Sequence, residues 1–573
     1  MRNVSYQTDL CVVGGGMSGL CAAVAAARHG AKVVLMQDRP VLGGNASSEV
    51  RMHICGAHGE NNRETGLLEE ICLDNLHRNP SASFAIWDSV LYEKAVCEPN
   101  ITLLLNCVML EVVTDGTRID TVKGYQLTNE THITVQAALF ADCTGDATLA
   151  YLAGAETCIG RESRDAFGET IPPDIADSKT MGQSCLIQIR ETDRYQTFTP
   201  PVWANVYETD DAFPHEYRNH MPGNNNYWWI ELGGDGDILH SAEELRHELL
   251  KIAFGVWDHV KNRGDHNADN WALEWVGFLP GKRESRRCVG DHMLTQLDLE
   301  AGGIFPDTVA YGGWTMDDHH PEGFHYPGPP TIFHPCPSPY GIPYRSLYSK
   351  NIDNLFFAGR NISATHAALS STRVMATCAL MGQAVGTAAA VATQENCNPR
   401  GVLSHIDTLQ ARLQQDDCFL PNIPRQLPQS VPTAAFTASE NPQQLALLQD
   451  GHERGDYAWY GGVGAWVGCR WQVPMLTSGV RLVFDSNLNR AGHNMPCYYP
   501  LHMAPLTPPY TLPKRFRLEW EDTTGRHMQE FDNHQRLVRI PLAAPGGIMA
   551  MRLTILETWG AGKAGVYGFE AEV

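Results

Sequence analysis

The first forty residues alternate between apolar blocks and glycine-rich breaks. Residues 10–13 are apolar, three glycines follow, residues 17–28 are rich in alanine, and residues 31–36 form a second apolar run after Gly30. Short apolar runs bounded by glycine are typical of buried strands, and a longer block of small residues is typical of a packed helix. The pattern predicts a strand, a helix and a second buried strand.

The rest of the chain divides into regions of different periodicity. Helical or strand-like patterns predict helices near residues 60–76, 85–98, 241–261 and 378–391, and strands near 101–113 and 131–140. Residues 418–443 are rich in Pro, Gln and Asn and predict a linker. Beyond residue 444 short runs alternate, as in residues 480–484, and helix signals are absent, so we expect an all-β region.

The glycines after the first predicted strand have the spacing of a dinucleotide-binding turn. Gly14 would make the turn, Gly16 would let the backbone approach a pyrophosphate, and Gly19 would let the helix pack on the strand. The helix N-terminus would then favour the anion. Gln37 ends the second strand and Asp38 follows, so we expect these side chains to serve the ribose. The alternative is a glycine-rich turn without a ligand.

Three later motifs resemble the FAD-binding segments of the glutathione-reductase-like flavoproteins. They are the pair Gly43-Gly44, the strand end Thr144-Gly145 and the late motif Ala358-Gly359-Arg360. They occur in the order in which those flavoproteins carry them. The resemblance implies an FAD cofactor bound by the matching residues, which are Gly14, Gly16, Gly19, Gln37, Asp38, Gly43, Gly44, Asn45, Gly145, Gly359, Arg360, Met375, Ala376 and Thr377.

The match is closer to one group. The runs LGGNASSEVRMHICGAHG from Leu42, RESRR from Arg283 and AGRNISATHAALSSTRVMATC from Ala358 resemble the bacterial FAD-dependent oxidoreductase family, whose members sometimes carry misleading labels such as xanthan lyase. The resemblance implies an α/β chain with a glutathione-reductase-like, Rossmann-type FAD domain and an inserted α+β substrate domain. We place the FAD domain at residues 1–180 and 345–417, the substrate domain at 181–344, the linker at 418–443 and a C-terminal β-sandwich, similar to galactose-binding-like sandwiches, at 444–573.

Composition excludes several classes of partner and site. The net charge of -22 argues against nucleic acid and anionic membranes. The chain shows no signal-peptide pattern, so we expect a cytoplasmic protein. None of the 16 cysteines forms a C-x-x-C pair, so we expect neither an iron–sulfur nor a structural zinc site, and no metal. We expect a small-molecule substrate, an unidentified electron acceptor and no membrane partner, and leave a homo-oligomer open.

A flavin accepts a hydride, so the protein must supply a base and groups that stabilise a developing oxyanion. His58, which lies between small residues after the FAD loop, is one candidate base, and His366 is the other. Arg373 could stabilise the oxyanion or the charge of the flavin; the segment is similar in layout to the late segment of fumarate-reductase-type flavoproteins. The alternative for each residue is a structural hydrogen bond or salt bridge.

Three further segments carry candidate chemistry. Residues 283–287 could meet the cofactor or substrate, or could be a solvated strand face. Residues 317–320, with His325, have metal-ligand side chains at a spacing that fits no defined site. The Pro, Gly and aromatic residues around them predict a loop, which could instead line the substrate pocket. Residues 224–229 could stack a sugar ring, although buried core aromatics fit the pattern as well.

These observations favour oxidation of a secondary alcohol on a sugar or glycoside, with the proton passing to His58 or His366 and the hydride to the flavin N5. The alternative is oxidation or reduction of a carboxylate-bearing substrate, a hydroxy acid or enoate, clamped by Arg373 and Arg283. A flavin module acting on nucleic acid, like the tRNA uridine-modifying flavoproteins, conflicts with the acidic charge. A carbohydrate-binding protein with a vestigial FAD fold conflicts with the intact glycine motifs.

Overall fold

The predicted strand, helix and second strand are present at the start of the chain. In the computed structural model, which describes residues 2–264 and 266–572, β1 (Arg2–Val13) is followed by α1 (Met17–Arg28) and β2 (Val33–Met36). The last four residues of β1 and all of β2 are buried. The first part of β1 extends beyond the apolar run because its backbone continues to pair along the sheet.

Strands and helices are interspersed up to residue 415, and strands dominate after it. The next strands are β3 (Ile101–Leu104), β4 (Cys107–Asp115), β5 (Arg118–Gln126), β6 (Thr131–Asp142), β7 (Thr157–Cys158), β8 (Gln183–Ser184), β9 (Ile187–Glu191), β10 (Glu231–Leu232), β11 (Trp271–Val276), β12 (Gly281–Lys282), β13 (Arg287–Cys288), β14 (Thr308–Gly312), β15 (Met316–His319), β16 (Thr331–His334), β17 (Tyr340–Pro343) and β18 (Leu355–Phe357). The helices are α2 (Leu67–Arg78), α3 (Phe84–Val96), α4 (Thr148–Leu152), α5 (Arg164–Phe167), α6 (Ala242–Asn262), α7 (Gln296–Glu300), α8 (His366–Thr372), α9 (Met375–Gln394) and α10 (Ile406–Gln415). The later strands are β19 (Ala435–Ala438), β20 (Trp459–Gly462), β21 (Trp466–Met475), β22 (Gly479–Phe484), β23 (Pro513–Asp522), β24 (Gly525–Asp532), β25 (Leu537–Pro541), β26 (Ile548–Thr558) and β27 (Lys563–Glu572).

The chain divides into two compact units. Unit 1 comprises Met1–His58, Ala82–Leu409 and His493–Pro505, and unit 2 comprises Gly59–Ser81, Gln410–Gly492 and Leu506–Val573. The predicted substrate domain and most of the predicted FAD domain fall within unit 1, whereas residues 59–81 and 410–417 of the predicted FAD domain belong to unit 2. The separation of the two predicted domains stays a prediction. The predicted linker falls inside unit 2, where part of it forms β19.

Unit 1 is built on a seven-stranded sheet. Its order is β3-β2-β1-β6-β5-β4, with β18 paired to β6. The pairs of β1 with β2 and β6, and of β6 with β18, are parallel. Val13, Met36, Asp142 and Phe357 end these parallel strands side by side. The carboxyl ends of the strands therefore meet at one edge, where α/β sheets bind ligands.

Helices α1 and α9 pack so closely that their backbones are in contact. A Cβ on Gly382 or Gly386 of α9 would collide with the carbonyl groups of Ser18 and Ala22 in α1. Among the described residues, α9 is the one helix long and apolar enough to cross a membrane, and 94% of its apolar window is buried inside the protein. Packing on α1 accounts for its alanine-rich and glycine-rich composition.

Small antiparallel sheets and the long helix α6 complete unit 1. Strands β10, β8 and β12 form one sheet, and β15 pairs with β16. The aromatic run predicted either to bind sugar or to be core supplies Tyr227 and Trp229, which are buried in an apolar cluster with Trp257 of α6. Those two rings therefore belong to the core.

Unit 2 contains two antiparallel sheets that share one apolar core. The orders are β19-β21-β26-β23-β24 and β20-β27-β22-β25. Leu482 of β22, Phe569 of β27, Phe516 of β23 and Leu553 of β26 all lie in that core. The all-β character predicted for this region is present, and α2 belongs to the same unit.

Three buried arginines of unit 2 each meet a carboxylate through two hydrogen bonds. Arg481 donates to Glu453 at 2.5 and 2.9 Å. Arg425 donates to Glu570 at 2.6 and 2.8 Å. Arg536 donates to Asp417 at 2.7 and 3.1 Å. Two parallel hydrogen bonds fix each guanidinium in orientation as well as in charge.

Two predicted boundaries are wrong because single residues adopt positive φ. The helix expected from residue 60 begins at Leu67, after Gly66 with a φ of +73°. The strand expected over residues 101–113 is broken between β3 and β4 at Asn106, whose φ is +52°. Turns of this kind leave little trace in hydrophobic periodicity.

Candidate active site

The glycine turn after β1 brings two loops into backbone contact. Gly14 has a φ of +101°, and its N–H donates to the carbonyl of Met36 at 2.8 Å. Gly16 directly precedes α1 and pairs with Gly43 in an isolated bridge. A Cβ on Gly44 would lie 3.1 Å from the Cα of Gly16. The N-terminus of α1 is therefore bordered by backbone rather than side chains, as a pyrophosphate cradle requires.

Other predicted cofactor residues hold this cradle together. Gly19 faces the carbonyl of Gly14, and a Cβ there would collide with it. The side chain of Gln37 accepts a hydrogen bond from the N–H of Gly15 at 2.6 Å. Asp38 is exposed. Gln37 thus ties the second strand to the turn, and the ribose role of Gln37 and Asp38 stays a prediction.

The Thr144-Gly145 motif lies within a buried acidic corner. Asp142 accepts hydrogen bonds from Thr144 and from the N–H of Ala150 at 2.8 Å. Burial raises the pKa of Asp142. These bonds fix the turn that Gly145, with a φ of +75°, makes after β6.

Arg360 and the RESRR segment meet at Asp146. Asp146 accepts from Ser285 of that segment at 2.7 Å, from Lys282 just before it at 2.6 Å and from Arg360 at 2.8 Å. Burial works against ionisation, but the two cations hold the pKa of Asp146 well below its usual value. Gly359, with a φ of +119°, turns the chain after β18 so that Arg360 reaches this carboxylate. Arg360 is thus partly neutralised before any cofactor binds.

The segment after the glycine pair runs from the cradle to α9 and then to Trp314. The N–H of Met52 donates to Asn45 at 2.9 Å, and Ala376 in the first turn of α9 donates to the carbonyl of Cys55 at 3.0 Å. The N–H of His58 donates to Gly313 at 3.0 Å. These backbone hydrogen bonds therefore fix the path of residues 45–58 past the start of α9, where we predict that the flavin binds.

His58 is presented on an aromatic surface. Its ring is exposed and stacks on Trp314, with 4.3 Å between ring centroids and 22° between planes. The indole Nε1 of Trp314 is buried and donates to no group in the described parts of the chain. The pair combines an accessible imidazole with a buried donor that is available to a ligand.

The start of α9 carries a second available group. Met375, Ala376 and Thr377 form its first turn, and the Oγ1 of Thr377 is buried without a hydrogen-bond partner among the described residues. A helix N-terminus favours negative charge. This turn therefore suits the pyrimidine end of a flavin, which is the role predicted for the three residues.

His366 is enclosed by carboxylates. Its Nδ1 lies 2.9 Å from Glu284 and its Nε2 lies 3.1 Å from Asp318, and the side chain is 1% exposed. Burial lowers the pKa of His366, but Glu284 and Asp318 outweigh burial and raise it to about 10. Both ring nitrogens therefore carry protons at neutral pH, and the geometry disfavours the predicted role as a general base.

Arg373 belongs to a neighbouring ion-pair chain. It donates to Asp317 at 3.0 Å, and Asp317 lies 3.2 Å from His319. His319 lies 2.6 Å from Glu231, which lies 3.3 Å from Arg283. Burial opposes the charge of His319, but Glu231 and Asp317 raise its pKa. Arg373 and Arg283, both predicted to meet a ligand, are therefore already paired.

Strand β15 supplies one carboxylate to each of the two ion-pair chains. Asp317 and Asp318 are adjacent on β15, and alternate residues of a strand point to opposite faces. Asp317 meets Arg373 and His319, whereas Asp318 meets His366. The metal-ligand residue types noted at this segment are thus used in hydrogen-bonded ion pairs.

Sequence reasoning missed the acidic members of these chains. Glu231 carried no motif, and Glu284 lay in the RESRR run without a role of its own; each lies far along the chain from its partner. Trp314, the partner of His58, also carried no motif. A signal existed only for the strand, where two acids and a histidine occupy consecutive positions with apolar residues nearby. Its interpretation as a loop was wrong, because residues 316–319 form β15 and pair with β16.

Comparisons with known proteins concern mainly unit 1. The chain matches the model of a family described as FAD dependent oxidoreductase over residues 9–413, more than half of its length. No curated protein matches it significantly.

Solved structures show only distant likeness. A two-domain protein of unknown function from Bacteroides fragilis is 16% identical over 26% of this chain, which spans 44% of that protein, with a TM-score of 0.20. A geranylgeranyl bacteriochlorophyll reductase-like protein from Thermoplasma acidophilum is 12% identical over 72% of this chain and 86% of its own, with a TM-score of 0.33. A variant of E. coli quinol fumarate reductase is 14% identical over 72% and 75%, with a TM-score of 0.28. TM-scores this low support no argument about the substrate.

Proposed function

Because the chain belongs to the FAD dependent oxidoreductase family, we propose that it oxidises a secondary alcohol of a sugar or glycoside with FAD as the electron acceptor. Family membership gives the cofactor and the general reaction. The alcohol substrate is supported by the environment of His58 and by the charge balance of the neighbouring ion pairs.

The residues of unit 1 fit FAD. The backbone around Gly14, Gly16 and Gly44 leaves room for a pyrophosphate at the N-terminus of α1. Thr377 adds a buried hydroxyl without a described partner at the start of α9. When bound, FAD supplies the two-electron acceptor that side chains lack. The protein must supply the cradle, the substrate contacts and the proton acceptor.

The pair of His58 and Trp314 carries the proposal. His58 is the exposed imidazole at the end of the segment that contacts α9, so its ring can accept the proton of a substrate hydroxyl. The buried Nε1 of Trp314 can donate to a neighbouring hydroxyl of the same substrate. His366, with both nitrogens held by carboxylates, acts instead as a fixed cation that positions Glu284 and Asp318.

The ion-pair chains favour an uncharged substrate. To clamp a carboxylate through two hydrogen bonds from each guanidinium, Arg373 and Arg283 would have to leave Asp317 and Glu231. Breaking a buried pair leaves an uncompensated charge and costs about 3–5 kcal/mol. A neutral polyol needs no such exchange, because hydroxyl groups bind through single donors and acceptors.

A carboxylate-bearing substrate, a hydroxy acid or enoate, is the second candidate. One observation favours it: the Nε of Arg373 is buried and has no hydrogen-bond partner within the described residues. That N–H could donate a hydrogen bond to one oxygen of a carboxylate while the other contacts of the guanidinium stay in place. The two candidates therefore differ in whether Arg373 or His58 makes the decisive contact.

Anaerobic reduction tests the choice. The FAD-loaded protein is mixed without oxygen with neutral sugars and glycosides and, separately, with hydroxy acids, and the oxidised flavin absorbance is followed. Bleaching by a neutral sugar or glycoside is expected. Bleaching by hydroxy acids alone, lost in the Arg373→Lys variant, would replace the proposal with the second candidate.

Four further features belong to the same proposal. We propose a glutathione-reductase-like arrangement for the FAD part of unit 1 and a galactose-binding-like sandwich for unit 2, whose two antiparallel sheets share a core. We also propose a cytoplasmic location and a small-molecule substrate without nucleic-acid or membrane partners; the net charge of -22 supports the absence of those two partners.

A further inference from the structure

Four side chains of unit 1, outside the cradle and the ion-pair chains, converge on one point. They are Asp210, His220, His259 and His266, and a ligand atom of each lies within 4.8 Å of all the others. The three imidazoles are buried, and Asp210 lies at the surface. His259 belongs to the last turn of α6, whereas the others lie outside regular strands and α-helices.

Backbone carbonyls determine which nitrogen carries the proton in two of the rings. The Nδ1 of His220 lies 2.9 Å from the carbonyl of Arg218, and the Nδ1 of His259 lies 2.9 Å from the carbonyl of Tyr207. A carbonyl only accepts, so each Nδ1 must donate. In a neutral ring the Nε2 then presents a lone pair. The same contact orients histidine ligands in metal sites.

These two lone pairs point at the other members of the cluster. The Nε2 of His259 lies 2.8 Å from the Oδ1 of Asp210, and the Nε2 of His220 lies 3.0 Å from the Nε2 of His266. The Oδ1 of Asp210 also lies 3.7 Å from each of these last two nitrogens. The Nε2 lone pairs of His220 and His259 and the carboxylate of Asp210 therefore repel one another unless positive charge lies between them. Protons could bridge the pairs separately, but one cation would satisfy all four atoms.

We propose that Asp210, His220, His259 and His266 bind a zinc ion. Zinc takes histidine nitrogen and carboxylate oxygen at about 2.0–2.2 Å in a tetrahedron, which places ligand atoms roughly 3.4 Å apart. Four of the six separations, at 2.8, 3.0, 3.7 and 3.7 Å, lie on both sides of that value, and the other two are no more than 4.8 Å. Sequence reasoning looked for cysteine pairs and therefore expected no metal.

The site is structural, because the protein supplies four ligands and leaves no position for substrate. It joins the loop of Asp210 and His220 to the end of α6. Phe213 packs edge-on against His220 and His259, with ring centroids 5.0 and 4.9 Å apart, and shields the site on one side. The zinc would thus fix the long irregular segment that leads into β10.

Metal content and cobalt spectroscopy test the site on the intact FAD-loaded protein. After dialysis against a weak chelator, elemental analysis should find about one zinc per chain. Replacement by Co²⁺ should give visible d–d bands at longer wavelengths than the flavin bands, as tetrahedral cobalt does. Metal-free protein with no cobalt bands and no Zn²⁺-dependent rise in melting temperature would overturn the proposal and leave a proton-bridged histidine cluster.

Matched variants locate the metal. Asp210→Asn preserves shape at an exposed position, and we expect it to weaken zinc retention at least about tenfold, the lower range seen when even supporting groups are lost. His259→Gln should remove the tetrahedral cobalt spectrum. His240→Gln, at an exposed histidine in the same region, should leave both readouts unchanged. Full zinc retention in Asp210→Asn and His259→Gln would place the metal elsewhere and overturn the assignment.

Discussion

Each unit contains a buried group of carboxylates, but the two groups are neutralised by different kinds of cation. In unit 2 Arg425, Arg481 and Arg536 pair with carboxylates through double hydrogen bonds. In unit 1 the cations between carboxylates include His319 and His366, which are charged because those carboxylates raise their pKa values. Arginine keeps its proton in any protein, whereas histidine can lose it. The cations of the first group therefore stay charged as pH rises, whereas those of the second can release protons.

The largest expected effect is on the rate of flavin reduction, and it distinguishes His58 from the histidines of the ion-pair chains as the proton acceptor. His58→Gln should slow flavin reduction by the alcohol substrate by about 10²–10⁴, the contribution of a general base. Anaerobic stopped-flow absorbance gives the rate, and His247→Gln, at an exposed position on α6, is the control. If Glu284→Gln caused the large loss and His58→Gln did not, the proton would pass through the chain of His366 instead.

Breaking the unit 2 group should destabilise without changing chemistry. Arg481→Met leaves Glu453 and Glu570 with one cation fewer, so we expect the free energy of unfolding to fall by about 3–5 kcal/mol. Arg517→Met removes an exposed pair with Glu530 in the same unit and should cost under about 1 kcal/mol. Calorimetry measures both. Equal losses in the two variants would contradict the distinction.

Alkaline pH should weaken unit 1 through His366. Its pKa is raised from 6.5 to about 10 in the folded protein. The stabilisation is complete below about pH 6.5, declines as pH rises, and is lost above about pH 10, a change of a few kcal/mol. The temperature of flavin release should fall across this range. Arg481→Met should show the same pH slope as the unaltered protein, since arginine does not titrate there.

Removing one carboxylate should give the smallest effect. Glu284→Gln leaves His366 with Asp318 alone, so we expect the alkaline loss of stability to move to lower pH by roughly 1–3 pH units. The flavin-release temperature as a function of pH measures the shift. An unchanged alkaline profile would show that His366 is not the group that titrates.

The sequence predicts parts of the site that depend on neighbours along the chain. The Gly14 to Gly19 turn and the start of α9 were found because their spacing is local. The charge state of His366 was not, because Glu284 and Asp318 lie 82 and 48 positions away. The cluster of His220, His259 and His266 was missed for the same reason.

Side-chain alternation on β15 has a consequence for chain alignment. A slip of one residue against β16 would exchange Asp317 and Asp318, so that each carboxylate would face the partners of the other. His366 and the pair of His319 and Arg373 would then compete for groups on the wrong side of the strand. The two adjacent acids thus favour a single register of β15 against β16. Insertion or deletion within these four residues should therefore be far less tolerable than substitution.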